Sequence, residues 1–154
     1  MTRTNSILIA IITSLSLVHA NPVFGADDTA LPIGGSGTRL LESVNGKTLI
    51  RMLVEASNLG STAIEVGEIT FAPGSASGGH AHASLELFYV TSGALLHEVD
   101  GKQLLLKPGM IGIVRSGEQV VHRVPGKEPC RALVIWVPGG EAERLSDYFV
   151  SKPI

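Results

Sequence analysis

The chain has 154 residues and a formal net charge of −2, from 12 basic and 14 acidic side chains. That length suits a single domain, and the absence of a basic stripe interleaved with aromatic residues argues against nucleic acid as a partner. The only cysteine, Cys130, excludes an intrachain disulfide, and we expect it to be a small strand residue rather than a catalytic thiol.

The N-terminus has the pattern of a secretory signal peptide. Arg3 supplies a positive charge, residues 6–18 form an apolar run, and Val18-His19-Ala20 matches a small-residue cleavage site. The run is short for a membrane-spanning helix, so we expect residues 1–20 to be removed and the protein to be periplasmic or secreted, with cleavage after Gly25 as the alternative. No later apolar segment approaches membrane length, so no membrane association is expected after cleavage.

Short apolar segments separated by turn residues predict an all-β sandwich or barrel over residues 46–138. Residues 21–45 are expected to be a lead-in, because their Gly- and Ser-rich part is typical of a linker. The predicted strands cover residues 47–56, 63–71, 86–91, 94–99, 102–107, 110–115, 120–124 and 131–137.

Two local signals refine this outline. Asp100-Gly101 stands between two apolar runs and predicts a two-residue β-hairpin turn. Only residues 141–150 have helical spacing, so residues 139–154 are predicted to be a C-terminal helical tail, packed on the outside of the barrel or against a second subunit.

The most informative residues are His80, His82 and Glu86. Residues two apart in an extended chain point to the same side, so the two imidazoles face one way. Imidazole and carboxylate ligands together suit a divalent first-row transition metal better than calcium or copper(I). The sequence therefore predicts a mononuclear metal site on this part of the sheet.

These three residues belong to a longer pattern: Gly74, five residues, His80-Ala81-His82, three residues, Glu86, six residues and Gly93. Every fixed position and spacing resembles the first motif of the cupin superfamily. The resemblance covers about residues 46–138. It implies a small exported single-domain cupin, with a double-stranded β-helix or jelly-roll barrel followed by a short C-terminal helix.

The second cupin motif is matched in part. Gly109 and Gly117 fit, but Arg115 stands where the motif has proline, and four residues rather than two separate Gly117 from His122. Gly126 replaces the motif's asparagine. A β-bulge would absorb the two extra residues. The resemblance then implies one ion of manganese, iron, zinc, nickel or cobalt, with four ligands: His80, His82, Glu86 and His122.

A pocket next to the metal would take its walls from inward-facing strand residues. Strand alternation places Glu86, Phe88 and Val90 on the inside. The guanidinium of Arg115 is either a surface charge or a grip on a substrate carboxylate, and His97 is expected to be an ordinary strand residue. The candidate pocket residues are Phe71, Phe88, Val90, Ile113, Arg115 and Trp136, with plain core packing as the alternative for the apolar ones.

Three neutral histidines and one carboxylate leave an octahedral ion two open positions for water, dioxygen or a chelating substrate. The resemblance implies an enzyme acting on a small molecule, of the dioxygenase, decarboxylase or isomerase type. A non-catalytic periplasmic module that binds a metal or small ligand is the main alternative, and a barrel stabilised by its metal is a third. No catalytic side chain beyond the ligands is evident, and the fold alone does not decide.

We also expect a homodimer, because cupin domains commonly pair. Residues 47–56 are apolar on both faces, and such a strand is usually covered on both. A second copy of the chain is the simplest cover. The lead-in or the C-terminal helix folding over this strand is the alternative.

Overall fold

Residues 32–154 are described here from a computed structural model, and they belong to one compact unit. The predicted signal peptide, residues 1–20, and the first part of the predicted lead-in lie outside the described residues. The strands are β1 (Arg39–Ser43), β2 (Thr48–Val54), β3 (Glu65–Phe71), β4 (His80–Ala81), β5 (Leu85–Ser92), β6 (Leu95–Val99), β7 (Lys102–Leu106), β8 (Ile111–Val114), β9 (Gln119–Arg123), β10 (Cys130–Val137) and β11 (Phe149–Pro153). The helices are α1 (Ala56–Leu59) and α2 (Glu141–Arg144), and a 3-10 turn follows α2 at Leu145–Asp147.

The strands form two antiparallel sheets. The larger has the order β11-β1-β2-β3-β10-β5-β8 and the smaller the order β4-β9-β6-β7. Leu95 and Leu106 of the smaller sheet pack in the same core as Ile50, Phe88 and Val134 of the larger. The predicted double-stranded β-helix with a short C-terminal helix is therefore confirmed. Within residues 32–154, none of the helices is long and apolar enough to cross a membrane.

Strand alternation builds the core. Every second residue of β5, from Glu86 through Phe88 to Val90, is buried, as predicted, and β10 repeats the pattern from Cys130 to Trp136. Burial of one large apolar side chain of this kind contributes about 1.5–3 kcal/mol. Glu86 is the exception, since it brings a carboxylate to an inward position. An ionised group in such a position requires compensating partners.

The turn at Asp100-Gly101 connects β6 and β7 as predicted. Both residues have positive φ, 46° and 76°, as a type I′ hairpin turn requires. Gly93, which closes the first motif, also has positive φ, 75°, and a β-carbon there would lie 2.3 Å from the Pro129 carbonyl oxygen. Glycine at this point lets the chain leave β5 and pass close to the segment before β10.

Both ends of the described chain depart from the prediction. The predicted lead-in contains strand β1, whose Leu41 is in the core and which pairs with both β2 and β11. The predicted helix over residues 141–150 is only one turn long, and Phe149 begins a strand instead. Ala142, Leu145 and Phe149 still pack on the core, so the helical spacing identified the buried residues correctly. The backbone from Phe149 on is a strand because Phe149 and Val150 favour β-structure and the edge of β1 offers hydrogen bonds.

Candidate metal centre

A cavity of about 880 Å³ lies among the inner faces of both sheets, the loop between β3 and β4, and the C-terminal segment. All four predicted ligands line it, together with three of the predicted pocket residues. The ligands are His80, His82, Glu86 and His122; the pocket residues are Phe71, Phe88 and Trp136. Elsewhere its wall is largely apolar, with Ile50, Ile69, Leu145 and Phe149, and Glu141, Arg144 and Asp147 bring charge to it.

Two neighbouring strands bring the histidines together. His80 opens β4 and pairs with Val120 of β9, and His122 lies two residues further along the same face of β9. The pairing of β9 with β6 is continuous from Leu96–Arg123 to Val99–Val120, so no bulge absorbs the two extra residues of the second motif. The His80 ring centroid lies 4.9 Å from that of His82 and 6.1 Å from that of His122.

His82 and Glu86 present donor atoms that lack partners. His82 Nε2 lies 3.0 Å from Glu86 Oε2, but the alignment is not that of a hydrogen bond, and Glu86 Oε1 has no hydrogen-bond partner either. Both side chains are almost fully buried. Two electron-rich atoms this close, away from water, call for a cation between them. Two ligands at right angles, each about 2.1 Å from one ion, would also lie about 3.0 Å apart, so this pair fits a divalent ion.

Each predicted ligand also contacts a partner behind it. His80 Nδ1 lies 2.9 Å from the Gly78 carbonyl oxygen, and Trp136 Nε1–H donates to Glu86 Oε2 at 2.8 Å. His82 Nδ1 lies 3.3 Å from Glu141 Oε2, and His122 Nε2 lies 3.0 Å from His97 Nδ1. Such outer partners fix the ring orientation and tautomer of histidines that bind metals. For His80 and His82 these partners occupy Nδ1 and leave Nε2 as the nitrogen that could bind a metal ion.

The histidines differ in their electrostatics. Burial lowers the pKa of His122 well below the usual range, and the neighbouring imidazoles of His97, His80 and His82 lower it further. Burial also lowers the pKa of His97, against the smaller opposing effect of the Ile113 carbonyl. At His82 burial acts in the same direction, but the carboxylates of Glu86 and Glu141 outweigh it and raise the pKa. The surroundings of His122 and His97 therefore favour a neutral imidazole, whereas the surroundings of His82 favour a positive charge.

The four predicted ligands share the cavity without meeting at one point. Among residues 32–154, no group of three or more His, Cys, Asp or Glu side chains is closely enough arranged to hold a metal ion as it stands. His82 and Glu86 are in ligand-to-ligand contact, while His122 turns its Nε2 toward His97. Convergence of all four on one ion stays a prediction.

Three of the predicted pocket residues lie elsewhere. Val90 is fully buried in the core and does not line the cavity. Ile113 is 45% exposed on the opposite face of β8, because the inward positions of that strand are Gly112 and Val114. Arg115 is exposed and pairs with Glu118, so it is the surface charge rather than the substrate grip.

Two residues of the site were missed from the sequence. His97 is buried, with Nε2 lacking a hydrogen-bond partner, and Gly112 leaves the room it needs, since a β-carbon there would lie 3.0 Å from that nitrogen. The sequence did contain a signal for this burial: His97 lies two residues after the core residue Leu95 in the same strand, so both side chains face the core. Glu141 opens a helix 55 residues beyond Glu86, and nothing local in the sequence marks it.

Cys130 takes no part in this site. It is fully buried on β10, and burial raises the pKa of its thiol to about 11. Only the thiolate is a nucleophile and a metal ligand, and this thiol stays protonated. Cys130 is therefore a small buried strand residue, as expected from the sequence.

Comparison with known proteins identifies the class. A family model described as "Cupin domain" matches residues 67–136, which places this part of the chain in the cupin superfamily. A search of curated proteins finds no match.

Solved structures with the same fold include a predicted oxalate decarboxylase from Thermotoga maritima, with 19% identity, a TM-score of 0.59, and coverage of 70% of this chain and 99% of that one. KdgF from Halomonas sp. has 14% identity, a TM-score of 0.58, and coverage of 67% and 89%. An RmlC-like cupin from Shewanella frigidimarina has 20% identity, a TM-score of 0.57, and coverage of 67% and 86%. At these identities the likeness concerns the fold.

Proposed function

We propose that the protein binds one divalent transition metal ion in the 880 Å³ cavity and uses it to act on a small molecule. The observation that carries the proposal is the buried pair formed by His82 Nε2 and Glu86 Oε2, 3.0 Å apart and without a hydrogen bond between them. His80 and His122 line the same cavity and complete the donor set. Nitrogen and oxygen donors of this kind suit manganese, iron, zinc, nickel or cobalt.

In this proposal the side chains of the protein would bind the metal ion and keep water out of the cavity, and none of them would react with the substrate directly. One carboxylate and three neutral imidazoles leave a divalent ion with net positive charge, and the bound ion would polarise an oxygen atom of a substrate or activate dioxygen. Phe71, Phe88 and Ile50 keep that part of the cavity apolar and so strengthen electrostatic interactions within it. Glu141 is not a free base, because its oxygens contact His82, Arg144 and two backbone N–H groups.

The class of reaction we propose is dioxygenation, decarboxylation or isomerisation of a small molecule that contacts the metal. The largely apolar wall of the cavity supports a substrate with an apolar body and a polar, chelating end. The alternative is a non-catalytic binding module. It is favoured because Asp147, the lining carboxylate that no side chain within residues 32–154 holds, is exposed to solvent, whereas the buried Glu141 is fully engaged.

Metal analysis of protein purified from its native compartment tests the first step. We expect about one equivalent of a transition metal in the wild type and its loss in His82→Gln and Glu86→Gln, with Glu118→Gln, a surface carboxylate, as the matched control. Oxygen uptake and product formation with a panel of small carboxylates, oxalate included, then separate the enzyme from the binding module. Wild-type protein that takes up no metal from any of the five ions would refute the proposal.

We further propose that the protein is exported and dimeric. Export is supported by the N-terminal pattern alone, and N-terminal sequencing that recovers residues 1–20 on the functional protein would refute it. β1 from the predicted lead-in pairs with the edge of β2. The outward face of β2 stays exposed and carries the charged Arg51 beside Leu49, so the dimer is better supported by another surface. The outer apolar face comprises Leu87, Tyr89, Ile111, Ile113, Leu133 and Ile135, which pair across β8, β5 and β10.

A further inference from the structure

We propose that Glu141 is a positioning residue that fixes the tautomer of His82, so that the Nε2 lone pair faces the metal cavity. The consequence for metal affinity rests on the proposed function, but the tautomer itself is a property of the metal-free protein. Glu141 lies outside the segment matched by the family model, residues 67–136, and comes from the C-terminal helix.

Glu141 is bound on every side. Its Oε1 accepts the backbone N–H groups of Ala83 at 2.9 Å and Ser84 at 3.0 Å, and also contacts Arg144 Nη1 at 2.6 Å. Its Oε2 lies 3.3 Å from His82 Nδ1. One carboxylate therefore holds both the loop that follows His82 and the imidazole itself.

The helix that carries Glu141 is itself anchored to the barrel. The backbone N–H of Ala142 donates to Glu65 Oε2 of β3 at 3.0 Å, and both Glu65 and Glu141 are buried. A carboxylate in this setting has little freedom to rotate, and ligand contacts held by such outer partners are well defined.

Two carboxylates compete for the single proton of a neutral His82. Glu86 Oε2 is 3.0 Å from Nε2 but badly aligned, whereas Glu141 Oε2 is aligned for a hydrogen bond with Nδ1 at 3.3 Å. Alignment decides the strength of a hydrogen bond at these distances. The proton therefore resides on Nδ1, donated to Glu141, and Nε2 keeps its lone pair.

Glu141→Gln is a sharp test because it preserves size. The amide oxygen of glutamine can still accept from Ala83 and Ser84, but its NH₂ group then faces His82 Nδ1 and can only donate. Nδ1 must become an acceptor, which moves the proton to Nε2 and blocks the nitrogen that faces the cavity. Glu143→Gln is the matched control, since this glutamate lies on the same helix turn and is exposed.

The readout is the two-bond ¹H–¹⁵N correlation spectrum of the His82 ring in metal-free protein at alkaline pH, where His82 is neutral. We expect the Nδ1–H form in the wild type and in Glu143→Gln, and the Nε2–H form in Glu141→Gln. A wild-type His82 in the Nε2–H form would overturn the proposal even if the variant fails to fold, and so would an unchanged tautomer in a folded Glu141→Gln.

Cobalt(II) binding separates this inference from the proposed function. Loss of an outer partner typically weakens metal binding about 10- to 100-fold, and we expect that loss in Glu141→Gln but not in Glu143→Gln. If wild-type protein binds none of the five ions, cobalt included, but has His82 in the Nδ1–H form, the proposed function fails and the role of Glu141 stands. If wild-type protein binds cobalt and Glu141→Gln leaves tautomer and affinity unchanged, the role of Glu141 fails alone.

Discussion

His82 and His122 line one cavity, yet their pKa values are shifted in opposite directions. His122 is surrounded by apolar rings and imidazoles, with Phe88 at a ring-centroid distance of 4.4 Å, and no carboxylate contacts it among the described residues. His82 stands between two carboxylates. The folded, metal-free protein therefore prefers a neutral imidazole at one position and a cation at the other.

This contrast predicts a stability maximum in metal-free protein. His122 and His97 have lowered pKa values, so the unfolded chain binds more protons and stability falls as the pH drops below about 6.5. The raised pKa of His82 adds stability that is complete below about 6.5 and is lost as the pH rises through the folded value. The free energy of unfolding from urea titrations should therefore be greatest near pH ~6.5.

His82→Gln provides the check on this assignment. It should flatten the alkaline side of the curve and leave the acid side in place. A wild-type curve that rises steadily across neutral pH would contradict the role given to His82.

Trp136 gives a second prediction at single-residue scale. Trp136→Phe keeps most of the buried ring but removes the N–H that donates to Glu86 Oε2. We expect a loss of about 1–3 kcal/mol in unfolding free energy for the unpaired buried acceptor, and a fall of about 10- to 100-fold in cobalt affinity. Gln103→Ala, which removes an exposed hydrogen-bond donor from the carboxylate of Glu98, is the control; equal effects of the two substitutions would contradict the assignment.

The sequence predicts the role of a residue well when that role depends on neighbours close in the chain, and poorly when it depends on distant ones. The spacing of His80, His82 and Glu86 is local, because strand alternation and one short loop fix their relative directions. His122 was reached through a partly matched motif, and its regular strand differs from the predicted bulge. Glu141 acts through contacts with a loop more than fifty residues away in the chain, and no periodicity encodes such a contact.

At the scale of elements, the barrel strands followed from alternation and turn residues, whereas the chain ends did not. β11 pairs only with β1, which lies far earlier in the chain, so no neighbour near in sequence among the described residues reveals it. β1 does form a hairpin with β2, but it lies in a segment whose composition is typical of a linker. Glu55 shows the same limit: its carboxylate binds Arg39 of β1, a contact between the predicted barrel and the predicted lead-in. Edges covered by distant segments depend on tertiary structure.

Gly93 supplies the prediction at this scale. Gly93→Ala would place a methyl group 2.3 Å from the Pro129 carbonyl oxygen at a positive φ. We expect a loss of about 2 kcal/mol or more in unfolding free energy, measured by chemical denaturation. Gly126→Ala is the control, because the nearest atom to its added β-carbon would be 3.9 Å away. If the two variants are equally stable, the close approach at Gly93 is not a constraint.

At the scale of the whole molecule, the outer apolar face predicts self-association. Tyr89, Ile111 and Ile113 are 42%, 48% and 45% exposed on neighbouring strands, and contiguous exposed apolar residues mark interaction surfaces. The wild type should scatter light as a dimer at micromolar concentration. Ile111→Lys combined with Ile113→Lys should weaken association at least tenfold, about 1.4 kcal/mol.

Val150→Lys, on the opposite edge of the same sheet, is the control for this experiment. It should leave the dimer intact, and all variants should keep their thermal unfolding transition. A wild-type mass equal to a single chain at every concentration would rule out the dimer.

The place of β10 in the larger sheet has a consequence for the order of folding. β3 and β5 pair with β10 on either side, yet β10 begins only at residue 130. While the chain is being synthesised, β3 and β5 have no common partner until the last sixth of the chain is available. Sheets that depend on such distant pairings form slowly, and a chain ending before Cys130 should show no cooperative unfolding. A polypeptide crossing a membrane in extended form would thus reach the far side before its barrel could close.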